Sequence, residues 1–247
     1  MDASGTSEVA VVTIDKQSCA DGYGRAVADF VYPPVIGLAL TMFRALGLRF
    51  DVSGAEHIPT SGGAVVASNH VSYLDFICVG LAARPSRRYV RFMAKDAVFR
   101  HRVAGPLMRG MHHIPVDRTA GAASYKTAIE ALRTGEVLGV FPEATISESF
   151  APKEFKTGAV RMAAETGVPL VPMATFGGQR IFTKGRPRDL TRGRPIIIAV
   201  GEPLAIGPAD DVLAATAELR TSVQRLVAQA VERYPVEGGA DEWWLPR

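Results

Sequence analysis

Cysteine is almost absent from this 247-residue chain: Cys19 and Cys78 are the only two. Neither a disulfide framework nor a zinc-ligand pattern is supported, and a reducing compartment is the simpler expectation. Charge of either sign is not in large excess, since 28 Lys and Arg stand against 25 Asp and Glu, a formal net of +3. A mildly basic surface suits phosphate-bearing partners without choosing among nucleic acid, anionic lipid and CoA-like ligands. No run approaches the ~20 uninterrupted apolar residues of an ordinary spanning helix. The start, Met1-Asp2 to Glu8, is acidic where a secretory signal is basic, so export is not expected. There is no repeat and no low-complexity segment. A Gly-x-Ser-x-Gly elbow and a Gly-x4-Gly-Lys phosphate loop are both missing, and Gly22-x-Gly24 lacks a third glycine and a preceding strand. Adjacent His112 and His113, on a strand, point to opposite faces and make a poor metal pair.

What is present is a globular composition, 47% hydrophobic and 21% charged, in a length that suits one domain with appendages. Residues 1–24 are small and polar and read as a mobile leader. Between Asp29 and Arg44 the chain is uncharged and interrupted by Pro33-Pro34. Two short helices joined by that pair are expected over 25–47. From 48 to 207 short β-type runs alternate with helical stretches, which predicts an α/β domain around a single, largely parallel sheet flanked by helices. The strand candidates are Leu48–Val52, Ala64–Ser68, Tyr89–Met93, His113–Val116, Val137–Phe141, Leu170–Ala174 and Ile196–Val200. Helices are expected over Tyr73–Ala83, Ala120–Arg133 and Thr157–Glu165. In the last segment, 208–247, Leu219, Val223, Leu226, Val227 and Ala230 recur at helical spacing, so a long amphipathic helix is expected over Ala209–Tyr234.

Chemistry concentrates where strands end. Ser68-Asn69-His70-Val71-Ser72-Tyr73-Leu74-Asp75 sits at a strand-to-helix junction, and ligands of open α/β sheets collect at the carboxyl ends of strands. In a continuous helix His70 and Asp75 would point about 140° apart. A turn capped by Ser72 would instead put Asp75 in the first helical turn, facing back to the imidazole and fixing its tautomer. A histidine so held can take a proton from a hydroxyl during its attack on a thioester. The same residues read equally as loop and helix caps. After a second strand, Val140-Phe-Pro-Glu-Ala-Thr-Ile-Ser147 presents Glu143 and Thr145, for acceptor hydroxyls or as a cap for the next helix. A third strand ends in Ile114-Pro-Val-Asp-Arg118, whose guanidinium suits a phosphate or a surface ion pair.

Taken together these blocks resemble the glycerolipid acyltransferases of the 1-acylglycerol-3-phosphate acyltransferase family, in order and separation, over about residues 48–205. Asn69-His70 with Asp75 matches the His-x4-Asp block, Ile114 to Arg118 the second, Phe141-Pro-Glu-x-Thr145 the third and Val168-Pro-Leu-Val-Pro172 the fourth. Phe155-Lys156-Thr-Gly158 matches the Phe-Lys-x-Gly segment after the third. The resemblance implies His70 as general base, Asp75 as its orienter, and Glu143, Arg118, Lys156 and Thr145 around the acceptor. It implies acyl-CoA or acyl carrier protein as donor co-substrate, no cofactor and no metal, a lysophospholipid acceptor and no nucleic acid. It also implies docking of residues 25–47 on the cytoplasmic face of a membrane without crossing it. Independently of the resemblance, Trp243 and Trp244 read as an accessory interfacial pair or, more often for paired tryptophans near a terminus, as packed on the domain.

The third block departs from the family pattern Phe-Pro-Glu-Gly-Thr-Arg-Ser: Ala144 replaces glycine and Ile146 replaces arginine. Either Arg118 and Lys156, with Lys153, Arg161, Arg180 or Lys184 nearby in sequence, supply the lost charge, or the acceptor carries another head group. Lysophosphatidate is the expected acceptor. An esterase or thioesterase would need an activated nucleophile, and a binding protein would have no use for the His-Asp pair.

Overall fold

The computed structural model describes residues 30–117, 121–235 and 243–246. The expected leader, the opening of the expected docking segment and Arg118 lie outside them. Seven strands form one sheet: β1 (Arg49–Ser53), β2 (Ala64–Ser68), β3 (Val90–Lys95), β4 (Ile114–Val116), β5 (Val137–Val140), β6 (Leu170–Phe176) and β7 (Pro195–Val200), in the order β1-β7-β6-β2-β5-β3-β4. All seven coincide with strands expected from the sequence, to within two residues. Pairing is parallel except between β6 and β7. The carboxyl ends of β2, β3, β4, β5 and β6 therefore share one edge.

The central strands β2 and β6 are buried along their whole length, which is why they read as near-continuous apolar runs. Alternation along β2 sorts its side chains into two cores. Val65 and Ala67 join the face covered by α5 (Gly121–Arg133), α6 (Gly158–Thr166) and α7 (Val212–Arg233), while Ala64 and Val66 join the face covered by α2 (Asp75–Ala82). α7 starts later than expected because Asp211 is its N-cap, accepting from the amides of Leu213 and Ala214. At its other end Arg233 pairs with Asp51 and Ser53 of β1.

Two readings change and one open alternative is decided. Pro33 and Pro34 do not join two helices; both fall in the first turn of α1 (Tyr32–Ala45), where a missing N–H costs nothing. The crossover from β3 to β4 contains two helices that the sequence did not announce, α3 (Asp96–Phe99) and α4 (Ala104–Gly110), too short to show a period. Trp244 is 4% exposed, packed with Phe176 and Tyr234, and Trp243 is partly buried against the same cluster, so the pair belongs to the domain.

A knot of rings joins α1 to the sheet. Tyr32 donates from its hydroxyl to the Val90 carbonyl at 2.5 Å, stacks on Tyr89 at 4.3 Å and meets His113 edge-on at 5.9 Å. The buried Arg91 guanidinium lies 5.5 Å from the Tyr32 ring centre. His113 accepts the Phe92 amide at Nδ1, 3.1 Å away, and so must be neutral there. Burial, then the charge of Arg91, hold its pKa down at about 4. Between the ordinary value near 6.5 and about 4, the unfolded chain takes up a proton that the fold refuses. Stability should therefore fall as pH drops through that window, by up to roughly 3 kcal/mol. Urea unfolding at pH 7 and pH 4.5 should show a shallower loss in His113→Gln; equal losses in both proteins would disprove this account.

Candidate active site at the carboxyl edge of the sheet

β2 ends at Ser68, and the six residues that follow turn back before α2 begins at Asp75. In this turn His70 Nδ1 lies 2.9 Å from Asp75 Oδ2. The same oxygen accepts the amides of Val71 at 2.7 Å and Ser72 at 2.8 Å, and Oδ1 accepts the hydroxyl of Thr175 at 2.9 Å. Asp75 is 1% exposed, and a buried carboxylate is tolerable only when satisfied in this way. Its place as the first residue of a helix adds the favourable end of the helix dipole. Ser72 does not cap α2; its hydroxyl accepts the Leu74 amide and donates to the Phe182 carbonyl, bracing the turn ahead of the helix.

An ionised Asp75 can only accept, so His70 carries its proton on Nδ1 and leaves Nε2 as the basic nitrogen. The ring stacks on Phe141 at 4.3 Å and keeps 21% of its side-chain surface exposed. Phe141 in turn stacks on Phe92 at 6.0 Å, and Phe76 meets Phe92 edge-on at 6.2 Å. Phe92 fits because β5 has glycine opposite it: a Cβ at Gly139 would come within 2.4 Å of the Phe92 ring. The imidazole is therefore walled on one side by hydrocarbon.

Glu143 lies at the end of β5, buried, and is no helix cap. Its Oε1 accepts the His70 amide at 2.8 Å and its Oε2 the Lys153 amide at 3.1 Å. The Ser147 amide donates to the His70 carbonyl at 2.7 Å, so the β5 loop grips the backbone of His70 from both sides of its peptide. Burial raises the Glu143 carboxyl above its usual range, against the pull of these amides and of the His70 and Lys153 charges. Each oxygen retains acceptor capacity for a ligand hydroxyl.

Thr145 and Lys156 are exposed on the same loop, Lys156 with its amide on the Pro142 carbonyl at 2.9 Å. Of the other cations named from the sequence, Lys153 reaches the altered position itself, its Nζ 3.3 Å from the Ile146 carbonyl. Lys184 pairs with Glu148 at 2.7 Å. Arg180 lies over Trp244 at 4.6 Å and Arg161 over Tyr125 at 5.5 Å, each stacked on a ring. Ile146 is buried. Thr175 and Asn69 were missed as a pair: Asn69 bonds both the amide and the carbonyl of Thr175, at 2.8 and 3.1 Å, locking the end of β2 to the end of β6. Only the contact reveals this, because the partners are 106 residues apart.

Ala144 has φ +60°, a left-handed conformation that costs an L-residue roughly 1 kcal/mol and glycine little. Ala144→Gly should accordingly raise stability by about 1 kcal/mol, read as a later urea midpoint at unchanged slope. A midpoint that stays or falls would show that the turn stores no strain.

The Acyltransferase family model matches residues 49–175. The 1-acyl-sn-glycerol-3-phosphate acyltransferase of Bacillus subtilis is 34% identical over 152 residues, 60% of this chain and 74% of that one. The chloroplastic enzyme of the same name, BAT2, from Brassica napus is 31% identical over 169 residues, 67% of this chain but only 47% of its own length. The crystal structure of the 1-acyl-sn-glycerophosphate acyltransferase PlsC from Thermotoga maritima superposes with a TM-score of 0.69 at 22% identity, covering 89% of this chain and 88% of that one, and so shares the fold. By its matched residues, and by the Bacillus relative most of which it spans, this chain belongs to the Acyltransferase family.

Proposed function

We propose that the chain transfers a fatty acyl group from a thioester donor, acyl-CoA or acyl carrier protein, to the free hydroxyl of 1-acylglycerol-3-phosphate, giving phosphatidate for phospholipid synthesis. The observation that carries this reading is the His70 imidazole, fixed by a fully satisfied Asp75 with Nε2 left basic, at the strand edge of a member of this family. The names of the relatives supply the acceptor class. In the reaction Nε2 takes the hydroxyl proton as the oxygen attacks the thioester carbonyl. The tetrahedral oxyanion collapses, the C–S bond breaks, and the thiolate leaves with the proton from the imidazolium. Asp75 stabilises that cation while it exists. Glu143 has lone pairs for the acceptor, and Arg118, with Lys153 or Lys156, is the cation set for its phosphate.

Such substrates are amphiphiles, and α1 is built to meet them. It carries one charge, Arg44 in its last turn, and exposes Leu38 and Met42. At roughly 21 Å it is shorter than a hydrocarbon core, and no described helix is long and apolar enough to cross a membrane. Docking in one leaflet, on the cytoplasmic side where acyl donors are found, fits that face.

Release of thiol from palmitoyl-CoA, measured against a panel of lysolipids, tests the reading. His70→Ala should lower turnover about 10²- to 10⁴-fold, with Asp75→Asn also severe, and Arg118→Ala should raise the KM for lysophosphatidate and leave that of the donor. Wild-type rates in a folded His70→Ala protein would remove the base. Equal use of acceptors with and without a phosphate, indifferent to Arg118→Ala, would move the assignment to another lysolipid.

Thr175→Val keeps the shape of the side chain and strips Asp75 Oδ1 of its donor. The cost of an unpaired buried acceptor, about 1–3 kcal/mol, should appear as a loss of kcat near tenfold with both KM values unchanged. Thr175→Ser should restore most of it. Equal impairment of the serine and valine variants would show that packing, not the hydrogen bond, matters here.

A further inference from the structure

We infer that the crossover between β3 and β4, residues 95–110 with α3 and α4, is a second lipid-contacting element that presses onto an anionic bilayer beside α1. This deepens the membrane part of the proposed function and rests on it.

The distribution of exposed apolar side chains points to one surface. Among the described residues, every large apolar side chain left exposed, except Leu190 and Leu213, lies on or beside α1, at the start of α2 or on this crossover. Beside and on α1 they are Phe30, 84% exposed, with Leu38 and Met42; on the crossover they are Val98, Val103 and Leu107, with Val103 67% exposed. Tyr73 and Phe76 complete the set beside the His70 turn. These elements adjoin. A Cβ at Gly110, the end of α4, would lie 2.5 Å from Val31, the residue before α1, and Phe76 touches Phe92 on the strand that leads into α3.

Charge decides the occupant. Residues 95–110 hold Lys95, Arg100, Arg102 and Arg109 against the single acid Asp96, whereas the whole chain is nearly balanced. All four cations are exposed and interleave with the apolar side chains. Protein–protein interfaces do use Arg, but the cores of their apolar patches are depleted of charge overall. A cluster of four cations against one acid among exposed apolar side chains therefore points to an anionic surface. An apolar face threaded by Arg and Lys is the composition of a helix lying among anionic head groups, with the stems in the acyl boundary and the cations at the phosphates. The presentation is rigid. A Cβ at Gly105 would sit 2.1 Å from the Phe99 carbonyl oxygen, so α4 rests directly on α3, and Arg109 ties back to the same carbonyl at 2.8 Å. His101 Nδ1 accepts the amides of Val103 and Ala104, closing the first turn of α4.

Flotation of the full chain with vesicles of phosphatidylcholine, with or without phosphatidylglycerol, tests the inference. Val103→Asp with Leu107→Asp should reduce partition onto both vesicles at least about tenfold. Arg100→Gln with Arg102→Gln should reduce partition about tenfold on the anionic vesicles alone, since each basic residue near such a surface is worth a few-fold in binding. Leu190→Asp with Leu213→Asp should bind as wild type. If the aspartate pair lowers the melting temperature, the glutamine pair carries the decision, because its side chains are exposed. Wild-type partition in the folded crossover variants, or an equal loss in the Leu190 and Leu213 control, would overturn the proposal. Binding is read without turnover, so it stands apart from the acyl-transfer reading, and transfer to a short-chain acceptor free in solution should survive in both crossover variants.

Discussion

A carboxylate taken out of water needs donors, and at Asp75 that need shapes the carboxyl edge of the sheet. Three donors come from the chain just before it: the imidazole of His70 and the amides of Val71 and Ser72. They force residues 70–75 into a compact turn, since no extended chain could bring those groups to one oxygen. The fourth, Thr175, arrives from β6 and ties the turn to the sheet. Asn69, which bonds the backbone of Thr175 on both sides, extends the same requirement one residue upstream. Loss of any one donor leaves a charge underserved where the dielectric is low, so the set is interdependent.

Glu143 applies similar logic from the opposite side of the imidazole. Where Asp75 fixes the ring, Glu143 fixes the peptide that carries it, and the stack on Phe141 fixes the remaining tilt. Two acids thus constrain one histidine through different atoms. They differ in what they have left: Asp75 is surrounded, while Glu143 spends one amide per oxygen and keeps capacity for a ligand.

Much of this was legible in the sequence because it was local. The seven strands were readable from short β-branched and apolar runs bounded by Gly, Pro and polar residues, and the His70 to Asp75 turn from spacing that a helix could not satisfy. What was not legible was long-range or brief. Thr175 is one more buried residue in an apolar strand until Asp75 is seen next to it. Lys153 gave no sign that its ammonium would lie at Ile146. α3 and α4 are too short to print a period, and Pro106 falls in the first turn of α4, where proline is accommodated. Pro33-Pro34, read as the joint between two helices, falls likewise in the first turn of α1.

The packing of Trp244 has a consequence in time. Its carbonyl accepts from Gln179, whose own side-chain oxygen holds the Gly177 amide, and its ring lies against Phe176, the residue after Thr175. A ribosome delivers His70 first, Thr175 about a hundred residues later and Trp244 well after both, so the seat for the end of β6 is the last part of the edge to be supplied. A nascent chain that already holds His70 and Asp75 still lacks the residues that close over the strand bearing Thr175. The end of β6, and with it the hydroxyl that Thr175 gives to Asp75, can therefore reach its final packing only once residue 244 has been made.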